Sequence, residues 1–379
     1  MTTAEPVITD REAMSRALRL AARGRYTTTP NPAVGCVLVR DGSIIAEGWH
    51  RRAGGPHAEV EALAGVAGSP SGATAYVTLE PCSHHGLTGP CADALIAAGV
   101  TRVVAAMEDP NPAVAGAGLA RLKAAGLEVS CGLMRDQARA LNRGFISRME
   151  SGRPFVFAKL ASSLDGRTAM ANGESQWITG AAARYQVQKL RAGSCAIITG
   201  VGTVLQDNPS LTVRAEGLIE DETDGEPRQP LRLVLDSSLR TPPSAKILSQ
   251  PGETVIVCLE QSEARIRPLR AMGATVVTMP ARGRRIDLVA LLAWLADERA
   301  CNEVMVESGS VLAGALLQAG LLDELHLFVA PTLMGSAARP LLELPLVHMG
   351  EQLRLHIEDM RAVGDDWWVR ARPHKKRAR

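Results

Sequence analysis

Aromatic residues are scarce in this chain: five Trp, three Tyr and four Phe make up 3% of its 379 residues. So few flat side chains argue against a row of stacking platforms, the usual means of holding an unstacked nucleic-acid strand. An excess of one charge is missing as well, since 42 basic side chains face 40 acidic ones. That balance offers no footprint for a polyanion, and the basic end His374-Lys-Lys-Arg-Ala-Arg379 reads as a solvated tail. No apolar run approaches the roughly 20 residues that span a bilayer, and the N-terminus lacks the basic-then-apolar pattern of a secretory leader. The expectation is a cytoplasmic chain with no membrane and no nucleic acid among its partners. Cysteine is also limited to seven, and Cys36, Cys131, Cys195, Cys258 and Cys301 are scattered through apolar runs. They read as buried thiols and not as a disulfide framework.

What is present is ample aliphatic material, 46% hydrophobic overall, in a chain longer than one compact core usually organises. Ser151-Gly-Arg-Pro154 reads as a linker between a domain at 1–150 and another at 151–379, with no internal repeat. In the first, Thr9 and Glu12 stand at capping-box spacing before a helix that Gly24 stops. Val34–Val39 and Ile44–Trp49 flank an Asp41-Gly42 turn as a hairpin. Strands at 75–79, 103–107 and 127–131 alternate with helices at 58–63, 91–98, 119–125 and 138–145, which predicts an α/β/α layer sandwich. In the second, strands at 155–160, 196–199, 231–235, 254–259, 303–307, 325–330 and 367–371 and helices at 181–190, 288–297 and 311–319 predict a mostly parallel sheet. The acidic, Gly- and Pro-bearing stretch 216–230 reads as a surface excursion.

His57-Ala-Glu59, Pro81-Cys82 and Pro90-Cys91 carry the most specific chemistry. One imidazole and two thiolates leave the fourth tetrahedral position of a zinc ion open, which separates a catalytic site from a structural one. Zinc lowers the pKa of bound water toward about 7, and Glu59 is placed to carry its proton to departing ammonia. Each ligand-bearing helix starts at its ligand, where exposed N–H groups favour thiolate over thiol. The segment between the cysteines is longer than the two residues of the general zinc-deaminase signature. His84 and His85 fall inside it, and a fourth ligand such as His84 would instead make the zinc structural. The alternatives are then a deaminase of a nucleic-acid base and a structural-zinc nucleotide sensor. Further on, Thr199-Gly-Val-Gly-Thr203 and Glu307-Ser-Gly-Ser-Val-Leu-Ala-Gly314 put glycines at strand-to-helix junctions. Such junctions suit either tight turns or the close approach of a phosphate.

Longer motifs carry a family resemblance. Asn31-Pro-Ala-Val-Gly35, Thr78-Leu-Glu-Pro-Cys-Ser-His-His-Gly-Leu-Thr-Gly-Pro-Cys91 and Glu108-Asp-Pro-Asn-Pro112 resemble the deaminase half of the bifunctional riboflavin-biosynthesis deaminase-reductases. Lys159-Leu-Ala-Ser-Ser-Leu-Asp-Gly166, Ser175-Gln-Trp-Ile-Thr179, Asp207-Asn-Pro-Ser-Leu-Thr-Val-Arg214 and the Glu307 segment resemble the reductase half. Nearly the whole chain is covered. It departs from the pattern at Leu87, where relatives carry Arg or Lys that help to hold the substrate's phosphate.

The resemblance implies a cytidine-deaminase-like sandwich followed by a dihydrofolate-reductase-like α/β domain, in a homo-oligomer with one zinc per chain and NADPH. The implied reaction removes the 2-amino group of 2,5-diamino-6-ribosylaminopyrimidinone 5'-phosphate, a phosphorylated pyrimidine, and then reduces its ribose to ribityl. Implied NADPH contacts are Ala161, Trp177, Thr203, Ser237 and the run Gly309, Ser310, Val311, Leu312, Ala313, Gly314 and Ala315. Implied substrate contacts are Asn31, Ser175, Arg191, Asp207, Leu211, Arg214 and Glu307, with Arg191 and Arg214 as a guanidinium clamp on the sugar phosphate. Asp207 would shuttle a proton and Lys159 orient the sugar hydroxyls, although Asp165 and Asp207 equally suit turn roles.

Overall fold

Thr9 accepts the Glu12 N–H while the Glu12 carboxylate takes the Thr9 N–H, so a closed capping box starts α1 (Asp10–Arg23) and Gly24 caps its end. The structure, a computed structural model, describes residues 7–83, 89–112, 114–214, 218 and 228–374. His84, His85, Leu87, most of the 216–230 excursion and the tail beyond His374 lie outside the described residues. The chain divides into two compact units, one running to Gly152 and one from Arg153.

In the first unit, β1 (Gly35–Arg40) and β2 (Ser43–Trp49) form the expected hairpin. Asp41 and Gly42 both take positive φ, the pair that a tight two-residue turn demands. There follow α2 (Ala58–Ala64), β3 (Thr74–Val77), α3 (Cys91–Ala97), β4 (Arg102–Ala105), α4 (Ala117–Ala124) and β5 (Glu128–Cys131). The five strands run in the order β2-β1-β3-β4-β5. One face packs on α1 through Ala13, Met14, Ala17 and Leu20, the other on α2, α3 and α4 through Ala58, Ala62, Leu95 and Leu122. Small residues on these faces let helix and sheet approach closely, so the shortage of aromatics costs little packing.

Two expectations need correction. The helix expected at 138–145 is two, α5 (Arg135–Leu141) and α6 (Arg143–Ser151). Asn142 breaks it because its amide is spent on Ala33, accepting that residue's N–H at 2.8 Å and donating to its C=O at 2.9 Å. The boundary between the two units falls inside the segment 151–154, where Ser151 ends α6, Gly152 is a left-handed cap, and Arg153 pairs with Asp323 at 2.6 and 2.8 Å. Cys131 is exposed at the end of the edge strand β5, whereas Cys36, Cys195, Cys258 and Cys301 are buried.

The second unit contains β6 (Phe155–Ser163), β7 (Arg167–Ala169), α7 (Ala181–Gly193), β8 (Ala196–Gly200), α8 (Val201–Asp207), β9 (Leu231–Leu235) and β10 (Thr254–Cys258). After these come α9 (Glu263–Ala271), β11 (Thr275–Thr278), the small hairpin β12 (Ala281–Arg282) and β13 (Arg285–Ile286), α10 (Leu288–Asp297), β14 (Glu303–Val306) and α11 (Ser310–Gln318). The unit closes with β15 (Glu324–Ala330), β16 (Arg339–Pro340), β17 (Leu355–Val363) and β18 (Asp366–Pro373). A nine-stranded sheet has the order β11-β10-β9-β8-β14-β6-β15-β18-β17. It is parallel from β11 to β15, and antiparallel where β18 and β17 close the edge. Helices α10 and α11 cover one face through Leu291, Leu295, Leu316 and Leu317. Helices α7, α8 and α9 cover the other through Val187, Leu190, Val204 and Leu269. Parallel strands bring their C-terminal ends to one side, where ligands of open α/β sheets bind.

Candidate active sites

The metal cluster is built by three short segments that β3 and two helix starts bring together. His57 is the N-cap of α2 with its side chain free of capping duty, and Cys91 opens α3. Cys82 follows β3 and is held to α3 by the Ala92 N–H on its carbonyl and the Cys91 N–H on its sulfur, at 3.1 and 3.3 Å. His57 Nδ1 lies 3.3 Å from Cys91 Sγ and 3.6 Å from Cys82 Sγ, and the three ligand atoms lie within 4.8 Å of one another. Bonds of about 2.0–2.3 Å in a tetrahedron require ligand atoms roughly 3.5 Å apart, so this set fits a single zinc ion.

Charge at the cluster follows from the contacts. Cys91 donates to Cys82, which brings the Cys82 thiol down to about 4 and leaves Cys91 well above the ordinary thiol range. Glu59 is 3% exposed, and burial pushes its carboxyl up to about 7, close to the neutral range in which a proton carrier works best. Glu59 also hydrogen-bonds Cys91, which places it at the cluster.

Asn31 reaches this site through a residue that the sequence reading missed. Its amide Nδ2 donates to His50 Nε2 at 3.2 Å, while His50 Nδ1 donates to the Pro56 carbonyl at 2.8 Å. The His50 ring stands edge-on to His57 at 5.6 Å. A lone histidine after Trp49 has no ligand spacing, so only folding singles it out. Glu80 was also missed. Its buried carboxylate accepts the N–H groups of Asp109, Gly116, Gly118 and Leu119, pinning the segment that underlies Cys82. Gly118 has no alternative there, since a Cβ would lie 1.9 Å from the Pro81 carbonyl oxygen.

The second site is a cavity of about 1240 Å³ at the C-terminal ends of β6, β8, β9 and β14. The two glycine junctions meet in it: Gly309 donates its N–H to Thr203 Oγ1 at 3.3 Å. Lys159, Ala161, Ser175, Trp177, Arg191, Thr203, Asp207, Leu211, Arg214, Ser237, Glu307, Gly309, Ser310, Val311, Leu312 and Ala315 all line it. Ala313 and Gly314 do not. Ala313 is wholly buried, and Gly314 lets the Glu343 backbone cross α11, where a Cβ would sit 2.3 Å from the Glu343 carbonyl oxygen.

Glu307 organises the centre of the cavity. Arg191 forks onto it through Nε and Nη2, both at 2.9 Å, and Lys159 Nζ lies 3.7 Å away. Burial alone would raise the Glu307 carboxyl, but Arg191 and then Lys159 outweigh it and hold it at about 2. Burial in turn lowers the Lys159 ammonium. Arg191 also gives Nη1 to the Thr212 carbonyl at 3.0 Å, so three of its five N–H groups fix the guanidinium at the cavity wall. Exposed Arg214 lines the same cavity, so both arginines of the expected phosphate clamp face it. Asp207 ends α8 and accepts the Ser175 hydroxyl at 3.2 Å, facing the cavity and not merely closing a turn. Asp165 is the turn residue, holding the N–H groups of Met334 and Gly335 and the Ser163 hydroxyl, the first cause of its lowering to about 2.

Comparison with known proteins assigns both units. Residues 7–107 match the family model of the cytidine and deoxycytidylate deaminase zinc-binding region, and residues 154–369 match that of the RibD C-terminal domain. The riboflavin biosynthesis protein RibD of Escherichia coli is 53% identical over 360 residues, covering 93% of this chain and 96% of that protein. Its counterpart from Haemophilus influenzae is 47% identical over 358 residues, 93% of this chain and 94% of that one. The structure of Acinetobacter baumannii RibD superposes with a TM-score of 0.89 at 46% identity, covering 97% of this chain and 99% of that chain. A deaminase/reductase structure from Thermotoga maritima gives 0.86 at 32% identity, covering 96% and 98%. The chain therefore belongs to the RibD family, whose members are bifunctional enzymes of riboflavin biosynthesis with a zinc deaminase half and an NADPH-dependent reductase half.

Proposed function

We propose that residues 1–150 deaminate and residues 151–379 reduce the same phosphorylated pyrimidine, through the residues placed at the two sites above. The observation that carries this reading is the His57, Cys82 and Cys91 trio with buried Glu59 beside it. When bound there, zinc supplies the Lewis acidity that makes hydroxide available near neutral pH. Glu59, buried beside the cluster, takes the proton of the attacking water and returns it to the leaving amino nitrogen. Asn31, oriented by His50, presents its side-chain amide to the pyrimidine edge.

In the reductase half, NADPH supplies the hydride when bound. Glu307 fixes Lys159 beside the sugar hydroxyls, and Asp207, held by Ser175, moves the proton that opens the ribosylamine. Positioning of donor against acceptor is the main contribution of the protein at this step. Among the described residues no helix is long and apolar enough to cross a membrane. Within this reading the enzyme works in the cytoplasm as a homo-oligomer, which sedimentation of the purified chain tests.

The direct experiment follows ammonia release and NADPH oxidation on one purified chain given the diaminopyrimidine ribosyl phosphate. Both signals are expected, and a zinc chelator should abolish the first while leaving reduction of separately supplied deaminated intermediate intact. Ammonia release that survives full zinc removal would end the reading.

A further inference from the structure

The cavity at the strand ends is strongly basic: eight Lys and Arg side chains line it against three carboxylates. Glu307 is committed to Arg191 and Lys159, Asp207 accepts from Ser175, and Glu343 accepts from Ser310. Two of the uncompensated cations, Arg240 and Lys246, come from one loop, residues 236–249 between β9 and β10. No acidic side chain within ion-pair distance of either is found among the described residues.

This loop is an ordered wall. Buried Asp236 accepts both the N–H and the hydroxyl of Thr241 at 2.7 Å, and Arg265 grips the Ser238 carbonyl at 2.7 Å. Leu239, Ala245, Ile247 and Leu248 anchor its underside in the core. The Lys246 N–H is tied to Asn208 Oδ1 at 2.7 Å, next in sequence to Asp207. Arg240 and Lys246 are therefore exposed side chains on a fixed backbone, and both line the cavity. Unpaired cations on such a wall match a dianionic phosphate monoester, through charge-assisted hydrogen bonds.

We propose that Arg240 and Lys246 are phosphate-anchoring residues of the reductase cavity, each holding a terminal phosphate monoester that enters there. Two such groups are available, the 5'-phosphate of the substrate sugar and the 2'-phosphate that separates NADPH from NADH. The proposal rests on the reading of this cavity as the reductase site.

The test is calorimetric titration of the full chain and its Arg240→Met, Lys246→Met and Lys246→Arg variants. Four probes distinguish the phosphates: D-ribose 5-phosphate against D-ribose, and NADPH against NADH. Each Met variant is expected to lose about tenfold in affinity for one phosphorylated probe, with D-ribose and NADH unchanged. Lys246→Arg should restore most of its loss, and ammonia release should match wild type in every variant. Loss for ribose 5-phosphate assigns that residue to the substrate, and loss for NADPH alone assigns it to the cofactor. Met variants that bind both phosphorylated probes like wild type overturn the proposal, as do variants that lose NADH together with NADPH. A wild-type chain that binds neither NADPH nor ribose 5-phosphate takes down the reductase reading as well.

Discussion

The deaminase cluster and the reductase cavity are put together in opposite ways. The His57, Cys82 and Cys91 cluster and Glu59 beside it come from consecutive strand–helix units of one small sheet. The reductase cavity draws on residues from Lys159 to Glu343, contributed by four strand ends, two helix starts and several loops. The first centre is fixed mainly by local chain geometry, because two ligands sit at helix starts. The second exists only once a nine-stranded sheet has closed, and buried charge pairing around Glu307 then locks it.

That contrast breaks most sharply at single carboxylates. Glu59→Gln should lower deamination by about a thousandfold, the loss expected of a positioned proton carrier, while zinc content and NADPH oxidation with deaminated substrate stay at wild-type levels. Zinc loss in that variant would make Glu59 a ligand. Next in size is Glu307→Gln, which leaves two buried cations uncompensated and should cost about 3 kcal/mol in urea unfolding of the second unit at pH 7. Because the Glu307 pKa is depressed to about 2, its contribution is fully present above about 4.5 and is lost as the pH falls toward 2. The gap between wild type and Glu307→Gln should therefore narrow across that window, and a gap independent of pH would refute the ion-pair account.

A smaller effect tests whether the local site is local. Gly118→Ala drives a methyl into the Pro81 carbonyl, so it should cost about 2 kcal/mol and weaken zinc retention, with NADPH binding unchanged. Undiminished zinc affinity would show that the Glu80 anchor is dispensable for Cys82. The smallest is Thr9→Ala, which removes the cap of α1 and should cost about 1 kcal/mol of first-unit stability. Both activities should persist at low temperature.

Legibility of the sequence followed the same division. The capping box, the Asp41-Gly42 turn and the ligand spacing are short-range patterns, and each stands where the residues placed it. Helix α8 was not expected because only two turns separate Gly200 from Asn208, and α9 carries Pro268 within a strongly charged run. Strand β17 is exposed along nearly all its length, so no alternation of apolar and polar residues marks it. Cys131 lies in an apolar-looking segment, but the segment became a sheet edge.

By itself the sequence determined the family and singled out His57, Cys82 and Cys91, which the fold brings together, because spacing along a helix start and long motifs survive without knowledge of the fold. Only the tertiary structure decided that Arg191 belongs to Glu307, that His50 orients Asn31, that Ala313 and Gly314 turn away from the cavity, and that Arg240 and Lys246 face into it. Those facts depend on which side chains share one desolvated space. Partners in such a space are chosen by three-dimensional proximity, and residues 116 positions apart, such as Arg191 and Glu307, carry no local signature of it.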